Sequence, residues 1–481
     1  MKKLKFCALS LFIALIFLFL LRISPSFWGK IESIFHDIRA QYFIRNPETS
    51  SIKVKKGEAK YIQKQKKLKS FQSKIVFVDI DDKSLNQIGK WPWKRTVYSS
   101  FIKKIEEFNP SLLLLDIYFP EKSKEDDEFA KTLSNYDNIG CVYNFTKQKN
   151  LLIDPATKNN IRKWAIKTNK KDTFKQIKSI LPTVHPISDN VFLGHDLMIK
   201  GADEKYKKIP EFVIHNGYLY PSITTVLYLK YRGYSVQDLV LEDDEFITRD
   251  RIIPVDKKGL RYVDYYISES NRKTFRHISF VDILEEKVKI NLEGKIVFVG
   301  VTAAGLGSGA QDVLSTPIGE IYGIEFLANA LLNIFEDRFI EEVPVVWENI
   351  IFLFFSGMIG LLNYKLTGLK NLFITISLVI LMFFLSFWLY SLGILINFSK
   401  FLIGFFLIYV GITFYKYILE KREKHQIRDM FSSYMSENIV AELIKDPKLA
   451  KLQGQKRDMT VLFSDIVGFT SFSEKHAPEY V

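Results

Sequence analysis

Apolar residues are concentrated in four blocks, each about as long as a membrane-spanning helix. The first block covers residues 6–23, and the others cover residues 347–364, 371–391 and 401–419. Because a helix needs roughly 20 apolar residues to cross the hydrocarbon core of a bilayer, the blocks predict four transmembrane helices. A cleaved signal peptide is the alternative for the first block, but Arg22-Ile23-Ser24-Pro25-Ser26 contains no small-x-small cleavage site. We therefore favour an uncleaved membrane anchor.

Lysine and arginine residues beside these blocks predict how the chain crosses the membrane. Three positive groups precede the first block, separate the second from the third and follow the fourth: Lys2, Lys3, Lys5, Lys365, Lys370, Lys416, Lys421, Arg422 and Lys424. Four crossings put all three groups on one side, which the positive-inside rule makes the cytoplasm. Residues 24–345 are then expected outside and the C-terminus inside. Lys400, in a short outside turn, is an exception.

Short apolar runs in the external region predict a buried parallel sheet. They cover residues 74–80, 111–117 and 294–300, and they are continuously apolar and rich in branched side chains. Between the first two runs, residues 97–108 carry apolar side chains at helical spacing, and Asn109-Pro110 ends the helix. This strand-helix-strand order indicates an α/β fold for the external domain.

Polar and aromatic residues follow these strands and form a candidate site for an external ligand. Open α/β sheets bind ligands at the carboxyl ends of their strands, where Asp79, Asp116 and the loop after Gly300 are expected. Charge and aromatic surface together are typical of a small-molecule pocket. The candidate residues are Asp79, Asp81, Trp93, Arg95, Asp116 and Glu121.

The same residues also have a purely structural interpretation. Asp79 and Asp81 can cap the helix that follows them, and Trp91 and Trp93 can pack in the core, while Arg95 pairs locally. The sequence leaves both interpretations open.

Several motifs at the two ends of the external region carry a resemblance to a known family. They are Val78-Asp79-Ile80-Asp81-Asp82-x-Ser84-Leu85, Gly89-x-Trp91-Pro92-Trp93-x-Arg95, Asp116-x-x-Phe119-x-Glu121, Gly294-Lys295-Ile296-Val297-Phe298-Val299-Gly300-x-Thr302-Ala303, Thr316-Pro317 and Gly323-Ile324-Glu325. The region resembles the type-2 CHASE sensor domains of bacterial membrane receptors, which implies an unidentified external ligand and a location in the bacterial inner (plasma) membrane. Leu327 departs from the family pattern, which usually has His there.

A second motif lies near the C-terminus. Residues 459–464 are predicted to form a short apolar strand that ends at Asp465, and a turn containing Gly468 then leads into a helix. A carboxylate at a strand end can hold a divalent cation, and amides at a helix start can receive phosphates. A strand-turn-helix with a capping Asp is the structural alternative.

The full run Met459-Thr460-Val461-Leu462-Phe463-Ser464-Asp465-Ile466-Val467-Gly468-Phe469-Thr470-Ser471 resembles the first metal-binding segment of class III adenylate/guanylate cyclases. The resemblance implies an α/β, ferredoxin-like catalytic domain that uses two divalent cations, Mg or Mn, and ATP or GTP. Asp465 would bind both metal ions, the Ile466 carbonyl would bind one, and amides around Gly468, Phe469 and Thr470 would hold the triphosphate. The family's second metal-binding Asp, purine-selecting pair and Asn/Arg pair lie downstream, so the chain by itself is expected to be inactive.

A helical linker is expected to join the fourth span to this segment. Ile427, Met430 or Phe431, and Tyr434 fall at roughly heptad spacing, which indicates a short two-stranded seam. The cyclase resemblance implies a parallel homodimer, because that family forms its catalytic sites between two subunits. An ordinary connector helix is the alternative.

Net charge and cysteine content add little to this picture. The net charge is +13 and the pI about 9.2, but the lysine-rich stretches 53–69 and 147–178 fall in the predicted external region and are interpreted as solvated insertions. Nucleic-acid binding is therefore not expected. Cys7 and Cys141 are not expected to form a disulfide, because one lies in the first span and the other in the external domain.

The predicted protein is a multi-domain membrane protein with an external α/β sensor domain, four transmembrane helices, a linker helix and the start of a cyclase domain. Its parts are a cytoplasmic tail 1–5, span 6–23, sensor 24–345, spans 347–364, 371–391 and 401–419, linker 420–455 and cyclase fragment 456–481. The expected function is control of cytoplasmic cyclic nucleotide synthesis. The alternative is a non-enzymatic sensor or a dominant-negative receptor subunit.

Overall fold

The computed structural model describes residues 2–45, 71–146, 153–168, 179–242, 245–266, 275–303, 313–365, 369–432, 458 and 460–481. The chain divides into two compact units, residues 1–410 and 411–481.

The α-helices of the described residues are α1 Lys2–Ile23, α2 Pro25–Arg45, α3 Asp82–Ile88, α4 Arg95–Glu106, α5 Asp126–Leu133, α6 Pro155–Lys163, α7 Ile223–Arg232, α8 Phe280–Leu284, α9 Gly323–Glu336, α10 Val345–Lys365, α11 Leu369–Ser391, α12 Phe398–Ser432 and α13 Phe469–Ser473.

The strands are β1 Ile75–Ile80, β2 Leu112–Leu115, β3 Ile139–Thr146, β4 Ile166–Lys167, β5 Ser179–Leu181, β6 Phe192–His195, β7 Ile199–Lys200, β8 Tyr206–Pro210, β9 Phe212–His215, β10 Tyr218–Pro221, β11 Val240–Glu242, β12 Glu245–Ile247, β13 Ile252–Pro254, β14 Leu260–Tyr262, β15 Arg276–Ser279, β16 Ile296–Val301, β17 Val313–Thr316, β18 Gly319–Tyr322, β19 Glu341–Glu342 and β20 Ile394–Leu395.

The central sheet of the first unit has the strand order β15-β1-β16-β2-β3, and both β5 and β6 pair with β3. All of these pairs are parallel except β3 with β5. The three predicted strands are therefore confirmed as β1, β2 and β16, and the predicted helix between the first two is α4. One feature of the topology was not predicted: β16, from the far end of the domain, lies between β1 and β2.

Helices cover both faces of this sheet, which explains why its strands are apolar throughout. Ile75 and Phe77 point into a core shared with α7 and α9. Val76 and Val78 point into a second core shared with α4 and α5. Alternate residues of one strand thus enter opposite cores, as the two-residue period of a strand requires.

A buried ion pair joins the β-rich middle of the domain to helix α9. Arg261 is 2% exposed and Glu211 is fully buried, and the Arg261 Nε donates to Glu211 Oε1 at 2.7 Å. The guanidinium also donates to Asn333 Oδ1 at 3.2 Å and to the Ala330 carbonyl at 3.0 Å. Leu327, on the same helix, is fully buried in the apolar core. The position at which the resembling family usually has His is therefore used for packing in this chain.

Four helices are long and apolar enough to cross a membrane: Lys3–Ile23, Val345–Tyr364, Leu369–Ser391 and Phe398–Met430. Each helix contains one of the four predicted blocks and extends beyond it at one or both ends. The positive exception noted in the sequence, Lys400, forms an ion pair with the buried Glu348 at 2.7 Å. This pairing neutralises a lysine that the positive-inside rule does not explain.

Helix α2 is an element that the sequence did not reveal. One residue, Ser24, separates it from α1, and Pro25 is at its first position, where a missing backbone N–H costs nothing. Aromatic contacts from Phe43 to Tyr390 and from Phe35 to Phe398 hold it against the ends of α11 and α12. The first membrane helix therefore continues into a second helix that the rest of the unit packs against.

In the second unit, the strand expected at residues 459–464 is not formed, which corrects that prediction. Residues 460–466 have no regular secondary structure, and Leu462 and Phe463 are 87% and 90% exposed. A strand requires a hydrogen-bonded neighbour, and no strand pairs with this segment among the described residues. The predicted helix after Gly468 is present as α13. The predicted linker seam lies outside the described residues at Tyr434 and at the side chains of Ile427 and Phe431.

Replacing Arg261 by Leu is expected to destabilise the protein by about 3–5 kcal/mol, because Glu211 then stays buried without its counter-charge. The measurement is denaturant unfolding of the full chain in detergent. Arg249→Leu is the matched control. Its ion pair with Asp238 (3.0 Å) is exposed, so its loss should cost less than about 1 kcal/mol. Equal effects of the two substitutions would contradict the assignment of Arg261 as a structural centre.

Candidate functional site

A cavity of about 500 Å³ opens at the edge of the central sheet where β2 and β16 end. This is the edge at which open α/β sheets bind ligands. Its walls are aromatic and aliphatic with polar groups between them. They consist of Trp91, Pro92, Arg95, Tyr98, Asp116, Ile117, Tyr118, Phe119, Asn144, Asp196, Leu197, Met198, Tyr206, Val301 and Leu314. Of the six candidate residues from the sequence, Arg95 and Asp116 belong to this wall.

Asp79 and Asp81 do not line the cavity, and both have structural contacts. The Asp79 carboxylate lies 2.9 Å from Nδ1 of His277 on the neighbouring strand β15. Asp81 is the N-cap of helix α3, where its carboxylate accepts from the Ser84 backbone amide at 2.8 Å and from the Ser279 hydroxyl at 2.8 Å. The capping interpretation therefore describes Asp81.

The candidates Trp93 and Glu121 also lie outside the cavity wall. Trp93 is 5% exposed and its indole N–H donates to the Gly89 carbonyl at 2.9 Å, so it packs below the cavity wall. The neighbouring Trp91 lines the cavity in its place. Glu121 has an exposed side chain and contributes its backbone carbonyl to Arg95 at 3.0 Å.

Arg95 is fixed at one side of the cavity by contacts from several directions. Its Nε donates to the buried Asp126 at 3.0 Å, and its guanidinium carbon lies 4.6 Å from the centre of the Phe119 ring. Its backbone amide donates to Glu125 at 2.7 Å. A guanidinium held in this way has little freedom to change its orientation.

Two carboxylates and a phenol form the polar part of the cavity. Asp116 follows β2, and Asp196 follows β6 and is 6% exposed. The Tyr118 hydroxyl donates to Asp196 and accepts from the Asn144 amide at 2.9 Å. Burial, followed by the negative charges of Asp196 and Asp116, raises the pKa of Tyr118 well above its ordinary value. The phenol therefore stays a neutral hydrogen-bond donor at physiological pH.

The sequence interpretation missed several residues of this wall, among them Tyr118, Asn144, Asp196 and Tyr206. One signal was present. The short apolar strand Phe192–His195 ends directly before Asp196, as β2 ends before Asp116, so the same strand-end rule would have identified it. The other three are recognisable only from the folded chain.

One strand connects the cavity to the helix that continues the first membrane span. Tyr206, the first residue of β8, lines the cavity. Its neighbours Lys205 and Lys207 bind Asp37 of α2 with Nζ–Oδ distances of 2.5 and 2.8 Å. Successive side chains of a strand point to opposite faces, which explains how one tripeptide contacts both the cavity and α2. We call Asp37, Lys205 and Lys207 the membrane joint.

The next residue of the strand contacts the segment that precedes the second apolar helix. Lys208 Nζ lies 3.1 Å from Glu342 and 3.0 Å from Asp256. Glu342 belongs to β19, which precedes α10 by two residues. Strand β8 therefore contacts the segments that lead to two of the four apolar helices.

A histidine is buried beside the membrane joint. His36 is 3% exposed and its ring stacks on Tyr262, with ring centres 5.3 Å apart. Burial lowers its pKa to about 4, and the positive charges of Lys207 and Arg39 act in the same direction, although Asp37 opposes them. The imidazole is therefore neutral at neutral pH. It borders a smaller cavity of about 270 Å³ between α2 and the β7–β8 hairpin.

The C-terminal motif has a simple turn geometry. The Ile466 amide donates to the Asp465 carboxylate at 2.9 Å, and the Ile466 carbonyl accepts from the Phe469 amide at 3.1 Å. Gly468 has a φ of 76°, a conformation that glycine adopts without strain. The Thr470 carbonyl accepts from the Glu474 amide within the short helix.

Asp465 and the Ile466 carbonyl are oxygen donors of the kind that Mg²⁺ prefers, so they fit part of a metal site. No group of three or more His, Cys, Asp or Glu side chains that could hold a metal ion occurs within the described part of the chain.

Comparison with known proteins gave one family match. The model of the CHASE2 domain family matches residues 12–362, which is well over half of the 481 residues. The matched range is wider than the expected sensor 24–345, because it includes most of α1 and nearly all of α10. No curated protein and no solved structure matched the chain.

Acid is expected to destabilise the protein through His36. Its pKa is lowered in the folded state, so its contribution is complete above pH 6.5 and is lost as the pH falls towards 4. At pH 5 the loss amounts to about 2 kcal/mol. His36→Phe, which can still stack on Tyr262, should lose less stability than the wild type between pH 7.5 and pH 5.

The measurement is denaturant unfolding of the full chain at both pH values. His425→Phe, at an exposed position of α12, is the control and should behave as the wild type. An unchanged pH dependence in His36→Phe would show that His36 is not buried as a neutral group.

Proposed function

The chain belongs to the CHASE2 domain family, and on that premise we propose that it is a membrane receptor with a ligand-binding external domain. CHASE2 domains are extracellular sensor domains typical of signalling receptors. The ligand binds in the 500 Å³ cavity beside Asp116 and Arg95. Its binding changes the position of strand β8, and the membrane joint passes this change to the first membrane helix.

The observation that supports this proposal is that residues 205–207 contact both the cavity and helix α2. Tyr206 is part of the cavity wall, while Lys205 and Lys207 hold the Asp37 carboxylate. The side chains of Lys207 and Asp37 are only 9% and 10% exposed. Charges at this depth are costly to separate, so a displaced strand moves α2 with it more readily than it breaks the ion pair.

A ligand can shift the receptor only if it binds the two conformational states with different affinity. The cavity provides a basis for such a difference, because its walls come from separate segments of the chain. Arg95 and Asp116 lie on α4 and after β2, whereas Tyr206 lies on the hairpin that contacts α2. A ligand that contacts both groups favours one separation between them.

For the cytoplasmic output we propose a class III nucleotide cyclase, on the resemblance of residues 459–471. Asp465 and the Ile466 carbonyl would hold Mg or Mn, and amides around Gly468, Phe469 and Thr470 would receive the triphosphate of ATP or GTP. The chemistry that two metal ions held there would supply is activation of the ribose 3′-hydroxyl and stabilisation of the pyrophosphate leaving group. A parallel homodimer in a bacterial inner membrane completes the proposal. The predicted orientation supports the proposal, because four crossings from a cytoplasmic N-terminus would put Asp465 on the side where nucleoside triphosphates occur.

Labelling with a membrane-impermeant maleimide tests the receptor orientation. In a variant with Cys7 and Cys141 replaced by Ala, we expect a single cysteine at Lys289→Cys to react from outside intact cells. A cysteine at Glu474→Cys should react only after lysis. Both positions are exposed within their own units, so burial does not limit either reaction. Labelling of both cysteines from the same side would refute a receptor that carries its sensor and its output on opposite sides.

The cyclase proposal predicts that the reading frame continues past codon 481 and encodes a second metal-binding Asp and an Asn/Arg pair. The purified longer product should form cyclic AMP or cyclic GMP with Mg²⁺ or Mn²⁺. Asp465→Ala should lower this activity by more than about 100-fold, because the replaced side chain would contact both metals. Glu474→Ala, an exposed carboxylate of the same segment, is the matched control and should retain activity.

A stop codon at 482 would contradict the cyclase and favour the non-enzymatic sensor or dominant-negative subunit. Full activity of Asp465→Ala would contradict the assigned role of this residue.

A further inference from the structure

We propose that the ligand of the 500 Å³ cavity is a small organic cation, a protonated amine attached to an aromatic or aliphatic body. The inference rests on the proposed function, because it assigns a chemical class to the ligand of that site. The observations that support the inference are the charge of the cavity wall and the arrangement of its aromatic side chains.

The charge of the wall is negative. Asp116 and Asp196 lie in it, and Arg95 is its one basic residue within the described part of the chain. Arg95 is already bound to Asp126 at 3.0 Å, and the Asp126 side chain is 5% exposed. Arg95, Asp116, Asp126 and Asp196 together carry a charge of −2, and Lys200, whose Nζ lies 5.7 Å from the centre of the Tyr206 ring, offsets part of it from outside the wall. A cation that enters the cavity is attracted, and an anion is repelled.

The aromatic part of the wall favours an organic cation over a hydrated inorganic one. Trp91 and Tyr206 are partly exposed and present ring surface to the cavity, whereas Tyr98 and Phe119 close its wall as buried rings. Rings of this kind stabilise ammonium groups through cation–π attraction and bury the apolar body of a ligand. A hydrated metal ion has no apolar body to bury against these rings. The described residues also provide no cluster of three metal-ligating side chains.

Hydrogen-bonding groups near the two carboxylates can orient the ammonium. An ammonium donates up to three hydrogen bonds and accepts none. The carboxylates of Asp116 and Asp196 and the side-chain oxygen of Asn144 are acceptors in the same wall. The volume of the cavity lies within the range of small-molecule sites. A ligand with an ammonium at the Asp196 side and a ring near Trp91 uses both parts of the wall.

Three probes of one shape and different charge test the inference on the full chain in lipid nanodiscs. Tyramine is the cation, 4-ethylphenol the neutral analogue and 3-(4-hydroxyphenyl)propanoate the anion. Calorimetric titration should show tyramine binding at least about 10-fold more tightly than the other two. Asp116→Asn and Asp196→Asn should each weaken tyramine binding by about 10-fold or more. They should leave binding of 4-ethylphenol within about 3-fold.

Asp137→Asn, at an exposed position outside the cavity wall, is the matched control and should bind tyramine as the wild type does. Thermal unfolding of each variant shows whether the fold is kept, and Asp116, less buried than Asp196, is the substitution that disturbs the core less. Preferred binding of the neutral or anionic probe would overturn the cationic class and leave the cavity as the ligand site. If none of the three probes binds, the inference is overturned, and the result also counts against the cavity as the ligand site.

Discussion

The contact of Asp37 with Lys205 and Lys207 is the interaction on which the link between the external domain and the membrane depends. It joins a helix that follows the first membrane span to a strand whose residue Tyr206, between the two lysines, lines the 500 Å³ cavity. Because the ion pair is largely removed from solvent, it resists separation. Neighbouring side chains of a strand point to opposite faces, so Tyr206 can line the cavity while the lysines beside it bind Asp37. The cavity and helix α2 are thus connected through three consecutive residues, 205–207.

The parallel sheet determines where the cavity lies. Strands β2, β16 and β6 run in one direction, so the residues that follow them meet at one edge, and Asp116 and Asp196 both lie there. The helices on both faces leave this edge as the open side. Asp79 and Asp81, although they are near the end of β1, turn to a neighbouring strand and to the start of α3 instead. The rule that ligands bind at the carboxyl ends of parallel strands therefore identifies the correct edge of the sheet. Local hydrogen bonds determine which side chains at that edge line the cavity.

Much of the architecture could be predicted from local patterns. Blocks of spanning length gave the four apolar helices, and continuous apolar runs gave β1, β2 and β16. The position of β16 between the other two could not be predicted, because strand order depends on packing between distant parts of the chain. Helix α2 was missed because polar residues interrupt its apolar pattern. Of the site, Arg95 and Asp116 were identified, whereas Tyr206 reaches the cavity only through the fold. The strand before Asp465 was predicted from a local apolar run. Such a run does not show whether a neighbouring strand is present to form the hydrogen bonds that a strand requires.

The most direct test of the link is amide hydrogen exchange of α2, residues 25–45, in the full chain in nanodiscs. Exchange reports local opening of helical hydrogen bonds. If the cavity wall holds α2 through the membrane joint, Tyr206→Ala should speed exchange in α2 nearly as much as Asp37→Asn does. Asn144→Ala, a change in the same cavity wall but on β3, should leave exchange in α2 at the wild-type rate. Exchange in α2 that responds to Asp37→Asn alone would contradict transmission from the cavity to the membrane helix.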